Sequence, residues 1–377
     1  MFKLAIALLC AASVVCAADG IQVEREGSLW RVRLTGTLPA VHRIVADSEL
    51  KVRGKAANAT RYVISAKVNA ANEAQARQFA RTFATIRLAG DAIVFTGPGN
   101  VELEVPRSTR FLNLASEEGG IDAADLEGSV LAQTVAGRIA LDRISGDVEI
   151  RSNGGSTALG RIGGIVKCYS GGGSIRAIHI SGQAFFETLG GDIVLGEVAG
   201  AIRAFTGGGG IQIDQAGGSV FAGTSGGPII VLRALGMVFA QNAAGPIDIG
   251  AASSVECQSG GGTIRLSNVS GPMRASTGRG SVIAEVISRK ITQGQRLEDS
   301  FLSTGAGDIS VLLPSDMGVT VDAEMSGTQA VGAIVSDYPG LRSVTGRTSV
   351  TARGAINGGG PTLRLRASGG RIKIRKK

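Results

Sequence analysis

Short runs of apolar residues at every second position, separated by polar residues or glycine, recur throughout residues 119–287. A period of two is typical of β-strands that bury one face, whereas a helix would repeat every 3.6 residues. Glycine returns between the runs at steps of nine residues, at Gly119, Gly128, Gly137, Gly146, Gly155, Gly164, Gly173, Gly182, Gly191, Gly200, Gly209, Gly218, Gly227, Gly236 and Gly245. The pattern predicts short strands joined by glycine corners, where φ is positive and a Cβ would clash.

Alternate segments of nine residues differ in character, so the repeating unit is a pair of such segments. Aligned units place like residues in columns, of which one from each half is Ile121, Ile139, Thr157, Ile175, Ile193, Ile211, Ile229, Ile247, Ile264 and Val282, and Val130, Val148, Val166, Ala184, Ile202, Val220, Val238, Val255 and Met273. Coils stacked ~4.8 Å apart would turn such columns into one continuous core. We therefore predict an all-β fold: a single parallel β-solenoid of the β-helix or β-roll type, with about 18 residues per coil in two nine-residue halves.

One column of small polar residues stands three positions before the first corner of each unit. Its members are Ser116, Thr134, Ser152, Ser170, Thr188, Thr206, Thr224, Asn242, Ser259 and Thr277. Side chains of this type bond to turn backbone, and we expect these also to bond to each other along the stack. An ice-binding face would instead need flat, exposed pairs of threonine, so a single corner column favours a structural role.

The regular repeat occupies the region 101–377, with a polar insertion near 288–300. Residues 18–100 are less regular: segments 21–24, 30–34 and 62–64 are typical of strands, and a short amphipathic helix is predicted within 70–83. An open solenoid end is an unpaired edge that would polymerise. We therefore interpret residues 18–100 as a capping region.

Residues 1–17 have the features of a signal peptide. Lys3 is followed by an apolar run over 4–15 that is too short to span a bilayer, and small residues follow Cys16. No later segment is long and apolar enough to be a transmembrane segment. The sequence thus predicts export, to the periplasm, the cell surface or the extracellular space.

Composition and net charge limit the kinds of partner that are expected for this chain. The chain has 57 glycines and 44 % hydrophobic residues, which argues against a disordered glycine-rich linker. Its net charge is +8, and the basic residues cluster only in the tail Arg371, Lys373, Arg375, Lys376 and Lys377. Such a tail usually keeps the end of a chain in water or discourages stacking there. The alternative interpretation is that it binds a partner, an anionic envelope polysaccharide. Export and the lack of a nucleic-acid module argue against nucleic acid.

No catalytic apparatus, metal site or cofactor site is predicted. Cys168 and Cys257 share an inward column five coils apart, roughly 24 Å, which is too far for a disulfide. His42 is isolated, and His179 lies in an outward polar column with Glu197, where a solvated surface role is expected. The corners lack the repeated aspartates that a calcium-binding nonapeptide roll requires.

An outward aromatic cluster is the one candidate for a partner-binding site. Phe185, Phe221 and Phe239 share an outward column, and Phe205 lies diagonally between the first two. An exposed apolar cluster often marks a partner surface. The alternative is that residues 19–100, the insertion or a second chain covers it.

Three segments of the repeat region resemble a known family. Residues 303–309 (STGAGDI), 312–314 (LLP) and 358–372 (GGGPTLRLRASGGRI) resemble the bacterial putative-adhesin family, and the likeness covers roughly residues 100–377. The resemblance implies an adhesin-like β-solenoid of the cell envelope. It transfers no catalytic or binding residue to this chain.

These observations predict a non-enzymatic exported envelope protein, an adhesin-like or scaffold solenoid that binds a polymer or protein along one face. One alternative is a glycan-active β-helix enzyme, which would need two carboxylates converging on one groove. Another is a structural component of a periplasmic stress or assembly system. Fold class alone does not decide among the three.

Overall fold

The computed structural model describes residues 19–38, 42–89, 92–287, 299–327 and 334–377. The expected signal peptide and most of the 288–300 insertion therefore lie outside the described residues. The chain divides into two compact units, Met1–Ser174 and Ile175–Lys377. In each unit the strands belong to two sheets, which we call sheet A and sheet B, and through the regular coils they alternate between them.

The first unit contains fifteen strands and one helix in its described part. Their bounds are β1 (Gly20–Glu26), β2 (Leu29–Leu38), β3 (Arg43–Ala46), β4 (Leu50–Lys55), β5 (Thr60–Val68), α1 (Glu73–Ala80), β6 (Thr85–Ala89), β7 (Ala92–Thr96), β8 (Asn100–Pro106), β9 (Phe111–Ser116), β10 (Ile121–Leu126), β11 (Ser129–Thr134), β12 (Ile139–Ile144), β13 (Val148–Ser152), β14 (Thr157–Ile162) and β15 (Val166–Ser170). Strands β3, β6, β7, β9, β11, β13 and β15 belong to sheet A, and the others to sheet B.

The second unit is built entirely of strands in its described part. Their bounds are β16 (Ile175–Ile180), β17 (Ala184–Thr188), β18 (Ile193–Val198), β19 (Ile202–Thr206), β20 (Ile211–Ala216), β21 (Val220–Thr224), β22 (Ile229–Ala234), β23 (Met237–Asn242), β24 (Ile247–Ile249), β25 (Ser254–Ser259), β26 (Ile264–Val269), β27 (Met273–Thr277), β28 (Val282–Val286), β29 (Ser300–Thr304), β30 (Ile309–Leu313), β31 (Val319–Ser326), β32 (Ile334–Ser336), β33 (Ser343–Thr345), β34 (Ser349–Ile356), β35 (Thr362–Ala367) and β36 (Ile372–Lys376). Sheet A contains the odd-numbered strands from β17 to β31 together with β33, β34 and β35. Sheet B contains the even-numbered strands from β16 to β32 and β36.

Successive coils pair in parallel. Paired residues in regular coils are 18 positions apart in the sequence, which is the predicted length of one coil. In the first unit Ile121 is opposite Ile139, and in the second unit Val220 is opposite Val238. The column residues are buried, and the residues that alternate with them face outward. This register confirms the all-β parallel solenoid with about 18 residues per coil.

The corner glycines are required by close approach. A Cβ on Gly209 would lie 2.3 Å from the carbonyl oxygen of Gly191, and one on Gly227 would lie 2.3 Å from that of Gly209. Neither glycine has a positive φ, which corrects the expectation from sequence. Glycine is needed here because the backbone of the preceding coil occupies the place of a side chain.

The corner column of small polar residues joins adjacent coils. Thr277 Oγ1 donates to the carbonyl oxygen of Gly262 at 2.9 Å and accepts from the backbone N–H of Gly280 at 3.2 Å. Asn242 makes the corresponding pair of bonds, to Gly227 and from Gly245. The structural role is as expected, but these bonds join each side chain to the backbone of its own turn and of the preceding coil's turn rather than to another side chain.

One coil of the first unit, β3–β4, is stacked out of chain order. Sheet A runs β6-β7-β3-β9-β11, and sheet B runs β1-β2-β5-β8-β4-β10, so the coil β3–β4 lies between the coils β7–β8 and β9–β10. The antiparallel strands β1, β2, β5 and β6 cover the end of the stack. Residues 43–55 and 92–106 thus supply two coils of the stack, and part of the region interpreted as a cap belongs to the solenoid.

Helix α1 is the predicted short helix, and it is shorter than the widest predicted range of 70–83. Asn72 caps its first turn by accepting the backbone N–H of Gln75 at 3.0 Å, and Trp30 Nε1 donates to the carbonyl of Ala70 just before it. The helix packs against β1 and β2. No helix in the described ranges has the length and apolar character needed to cross a bilayer.

The C-terminal part of the second unit also contains a coil that is stacked out of chain order. The coil β35–β36 lies between the coils β29–β30 and β31–β32, and β34 and β33 continue sheet A in antiparallel fashion. Three residues of the basic tail, Lys373, Arg375 and Lys376, therefore lie on β36, which pairs with β30 on one side and, over residues 372–374, with β32 on the other. Lys373 Nζ lies 2.9 Å from Asp308 Oδ2, and its hydrogen bond holds the pKa of Asp308 below its usual value. Arg375 pairs with Asp337 at 2.7 Å.

The corner geometry predicts a contrast between two adjacent glycines. Gly209→Ala places a methyl group against backbone and should lower the free energy of unfolding by about 1–3 kcal/mol. Gly208→Ala enters open space and should change it by less than about 0.5 kcal/mol. Urea denaturation of both variants checks this, and equal destabilisation would contradict the proposed steric cause.

The polar corner column predicts a second contrast. Thr277→Val leaves the carbonyl of Gly262 and the N–H of Gly280 without their recorded side-chain partner, and should cost about 1–3 kcal/mol. Thr277→Ser keeps the hydroxyl and should cost clearly less. If valine were no more destabilising than serine in thermal or urea unfolding, the hydrogen bonds of the hydroxyl would not be what stabilises this corner.

Candidate functional site

The outward face of sheet A in the second unit carries the aromatic residues singled out from sequence. Phe185 on β17, Phe221 on β21 and Phe239 on β23 share one column, with Arg203 on β19 between the first two. Phe205 on β19 lies in the neighbouring column. The structure thus brings these residues to one face, and Arg203 fills the position between Phe185 and Phe221 in their column.

The first column is stabilised by contacts among its own members. The rings of Phe221 and Phe239 have centroids 6.2 Å apart, and the guanidinium of Arg203 lies 5.3 Å from the Phe221 centroid. An exposed cation–π contact of this kind contributes about 0.5–1 kcal/mol. Phe185, Phe221 and Phe239 are half-buried, so each presents only part of its ring to a partner.

Phe205 presents more of its ring. Its side chain is 46 % exposed, and it lies beside Gly223 on the next strand. A Cβ on Gly223 would come within 2.8 Å of the Phe205 ring. The missing side chain at Gly223 therefore gives the ring the space in which it lies, and it opens a depression in the sheet face.

This depression widens into a groove of about 810 Å³ that we call the Phe205 groove. It is lined by Phe205, Thr206, Gly223, Thr224, Ser225, Gln241, Asn242, Ala243, Gln258, Ser259, Gly260 and Ser276. Gly223, Gln241, Gln258 and Ser276 follow one another in a single column on β21, β23, β25 and β27. The groove therefore runs across the strands, in the direction in which the coils stack.

The groove combines three kinds of surface. Phe205 offers an aromatic face at one end, and the exposed amides of Gln241 and Gln258 each carry donors and an acceptor. The corner residues Thr206, Thr224 and Asn242 are buried and already hold the turns. The groove can therefore stack an apolar ring face and exchange neutral hydrogen bonds along its length.

Sequence reasoning identified Phe205 but missed the groove. The signal was present in the column Glu187, Phe205, Gly223, Gln241, Gln258 and Ser276, where residues one coil apart change from a bulky ring to glycine and then to amides. Glycine in such an outward column marks a place where another group lies over the backbone.

The structure also gives His179 two neighbours on the outer face of sheet B. Its Nδ1 lies 3.3 Å from Glu197 Oε2, and its Nε2 lies 3.4 Å from Ser181 Oγ. The Glu197 neighbour was expected from the column, and Ser181 was not. Both distances are long, the side chains of His179 and Glu197 are 38 % and 58 % exposed, and none of the three lines the Phe205 groove. We interpret the trio as a solvated surface contact.

The two described cysteines are buried and unpaired, as expected from their spacing. Burial raises the pKa of both Cys168 and Cys257 to about 12. Among the described residues, no three histidine, cysteine or acidic side chains group as they would around a metal ion.

Comparisons with known proteins give little support beyond the geometry. No family model matches the chain, and no curated protein matches it. One solved structure, that of a "putative cell adhesion protein from Clostridium sporogenes", aligns with this chain at 8 % sequence identity and a TM-score of 0.16. The alignment covers 92 % of this chain and 99 % of that protein's chain. A likeness of that size carries no argument for fold or function. Membership of the putative-adhesin family therefore stays an expectation from the sequence.

Burial of the thiols predicts slow thiol chemistry. In a chain with Cys10 and Cys16 replaced by serine, Cys168 and Cys257 should not react with an aromatic disulfide reagent at pH 8, because the reactive thiolate is disfavoured and the sulfur is enclosed. Both should react once the chain is unfolded in guanidinium chloride. Rapid reaction of either thiol in the native protein would contradict its placement in the core.

Proposed function

We propose that this chain is a non-enzymatic, exported cell-envelope protein, an adhesin-like or scaffold solenoid that binds a polymer or protein partner along one face. The observation that carries the proposal is the outward face of sheet A in the second unit, where an exposed ring and a groove lie side by side. A partner that follows this groove meets a new strand at every step.

The construction of the coils supports a binding role. Their corners are joined by side-chain and backbone hydrogen bonds, and their outward positions repeat in columns. A surface of this kind holds its side chains at fixed spacing without any conformational change. Extended, regular faces are what repeat proteins generally use to bind other molecules.

The groove chemistry favours binding over cleavage. Glycan hydrolysis of the common type needs two carboxylates, one on each side of the scissile bond. The residues that line the Phe205 groove include no aspartate or glutamate. The groove is therefore suited to holding a ligand and lacks the acid pair that the glycan-active alternative requires.

The proposal is tested in the organism that produces the protein. We expect the wild-type chain to leave the cytosol, and a variant lacking residues 2–17 to stay there, because the leader is removed. We also expect a deletion strain to lose attachment to a surface or to purified envelope polymer, with recovery on complementation by the wild-type gene.

Protease treatment of intact cells separates the two roles within the proposal. Digestion on intact cells favours adhesion, and protection until the outer membrane is opened favours a periplasmic scaffold. Wild-type chain in the cytosolic fraction, or a deletion strain with unchanged attachment and unchanged envelope integrity, would contradict the proposed function.

A further inference from the structure

We infer that the Phe205 groove binds a neutral glycan chain, which lies across the strands in the direction of coil stacking. This inference rests on the proposed function, in which this face binds a partner, and it assigns the chemical class of that partner. It differs from the expectation of an anionic polysaccharide that the basic tail suggested.

The first argument is charge. The chain has a net charge of +8, yet none of the twelve residues that line the groove is charged. A polyanion that entered the groove would lose water without gaining a cation as partner. The described basic residues of the tail are partly engaged elsewhere, as in the pairs of Lys373 with Asp308 and Arg375 with Asp337. The groove is therefore matched to a ligand without charge.

The second argument is the aromatic ring. Phe205 is 46 % exposed, and among the described residues no ring or cation is recorded against it, in contrast to Phe221. The C–H face of a pyranose ring is apolar and flat, and it packs well on an aromatic face. The ring lies in the space that a side chain at Gly223 would occupy, so a sugar that packs on the ring meets no side chain from that position.

The third argument is the row of amides. Gln241 and Gln258 are exposed, and neither amide is recorded in a hydrogen bond with another described residue. An amide that can donate and accept matches the adjacent hydroxyls of a sugar, each of which does both. Ser276 continues the row, and Ser303 Oγ donates to its hydroxyl at 3.0 Å.

The fourth argument is the direction and length of the site. Phe205 and Ser276 lie on β19 and β27, four strand spacings apart, which is roughly 19 Å. An extended oligosaccharide of several units fits this length, whereas a disaccharide would reach only part of it. We therefore expect affinity to increase with chain length until the row is filled.

An extended peptide is a poorer occupant. Peptides that bind to sheets usually add a strand to an exposed edge. The strands β19 to β27 of sheet A are paired on both sides, so their backbone groups are already used. A glycan needs only the outward side chains.

Isothermal titration calorimetry of the full chain tests the inference. The probes are the neutral hexasaccharides of β-1,4-glucose, α-1,4-glucose, β-1,3-glucose and β-1,4-N-acetylglucosamine, together with polygalacturonate as the anionic counterpart. We expect at least one neutral hexasaccharide to bind, its disaccharide to bind at least about tenfold more weakly, and its affinity to change less than about twofold between low and high salt.

Variants locate the binding in the groove. Phe205→Ala should weaken binding at least about tenfold because the stacking face is lost. Gln241→Ala and Gln258→Ala should each weaken it by about twofold to tenfold. Gly223→Ala should also weaken it, because its Cβ displaces the ring. The matched controls are Phe301→Ala, an exposed ring outside the groove lining, and Gln215→Ala, an exposed amide on sheet B, and both should bind as the wild type does. Thermal unfolding verifies that each variant is folded.

Three results would overturn the inference: no neutral hexasaccharide binds, binding survives in folded Phe205→Ala and Gln241→Ala variants, or only polygalacturonate binds. The proposed function can fail separately. If a deletion strain loses attachment and the wild-type gene restores it, yet no neutral hexasaccharide binds, the proposed function stands and the glycan assignment fails. If a neutral hexasaccharide binds in the groove but the wild-type chain stays in the cytosol, the glycan site stands and the proposed envelope role fails.

Discussion

The fold depends on how closely one coil can approach the next at its corners. At Gly209 and Gly227 the backbone of the preceding coil lies where a Cβ would be, so any larger residue would push the coils apart. The polar corner column uses the same closeness, because side chains such as Thr277 and Asn242 reach both their own turn and the carbonyl of the turn before. Once the corners fix the spacing, the strands between them can pair in register and the aliphatic columns can pack without gaps.

That spacing also organises the surface. Outward residues of successive coils are opposite each other, so a change at one position becomes a local feature of a column that is otherwise continuous. Gly223 is such a change: it leaves room for the ring of Phe205 and exposes the floor that leads to Gln241 and Gln258. The core columns hold the fold, and the outward columns are free to carry recognition chemistry.

The sequence predicts the coil well, because every rule that defines it is local or repeats from one coil to the next. The strand periodicity, the corner column, the helix near residues 73–80 and the unpaired cysteines all follow from such rules. Two features do not. The φ angles of Gly209 and Gly227 depend on how the coil turns in three dimensions, and glycine is compatible with either sign. The placement of β3–β4 and β35–β36 within the stack is decided by pairing between segments far apart in the chain, which leaves no periodic signal.

The order of coils at the far end sets an order of assembly. Strands β31 and β32 are made before β35 and β36, yet they reach the coil β29–β30 only through them. During synthesis or transport from one end, β31 and β32 must therefore wait without their parallel neighbours until β35 and β36 arrive and fill the gap. The repeat can grow coil by coil through most of its length, but its last step is an insertion, and a chain halted before that step would keep an open edge.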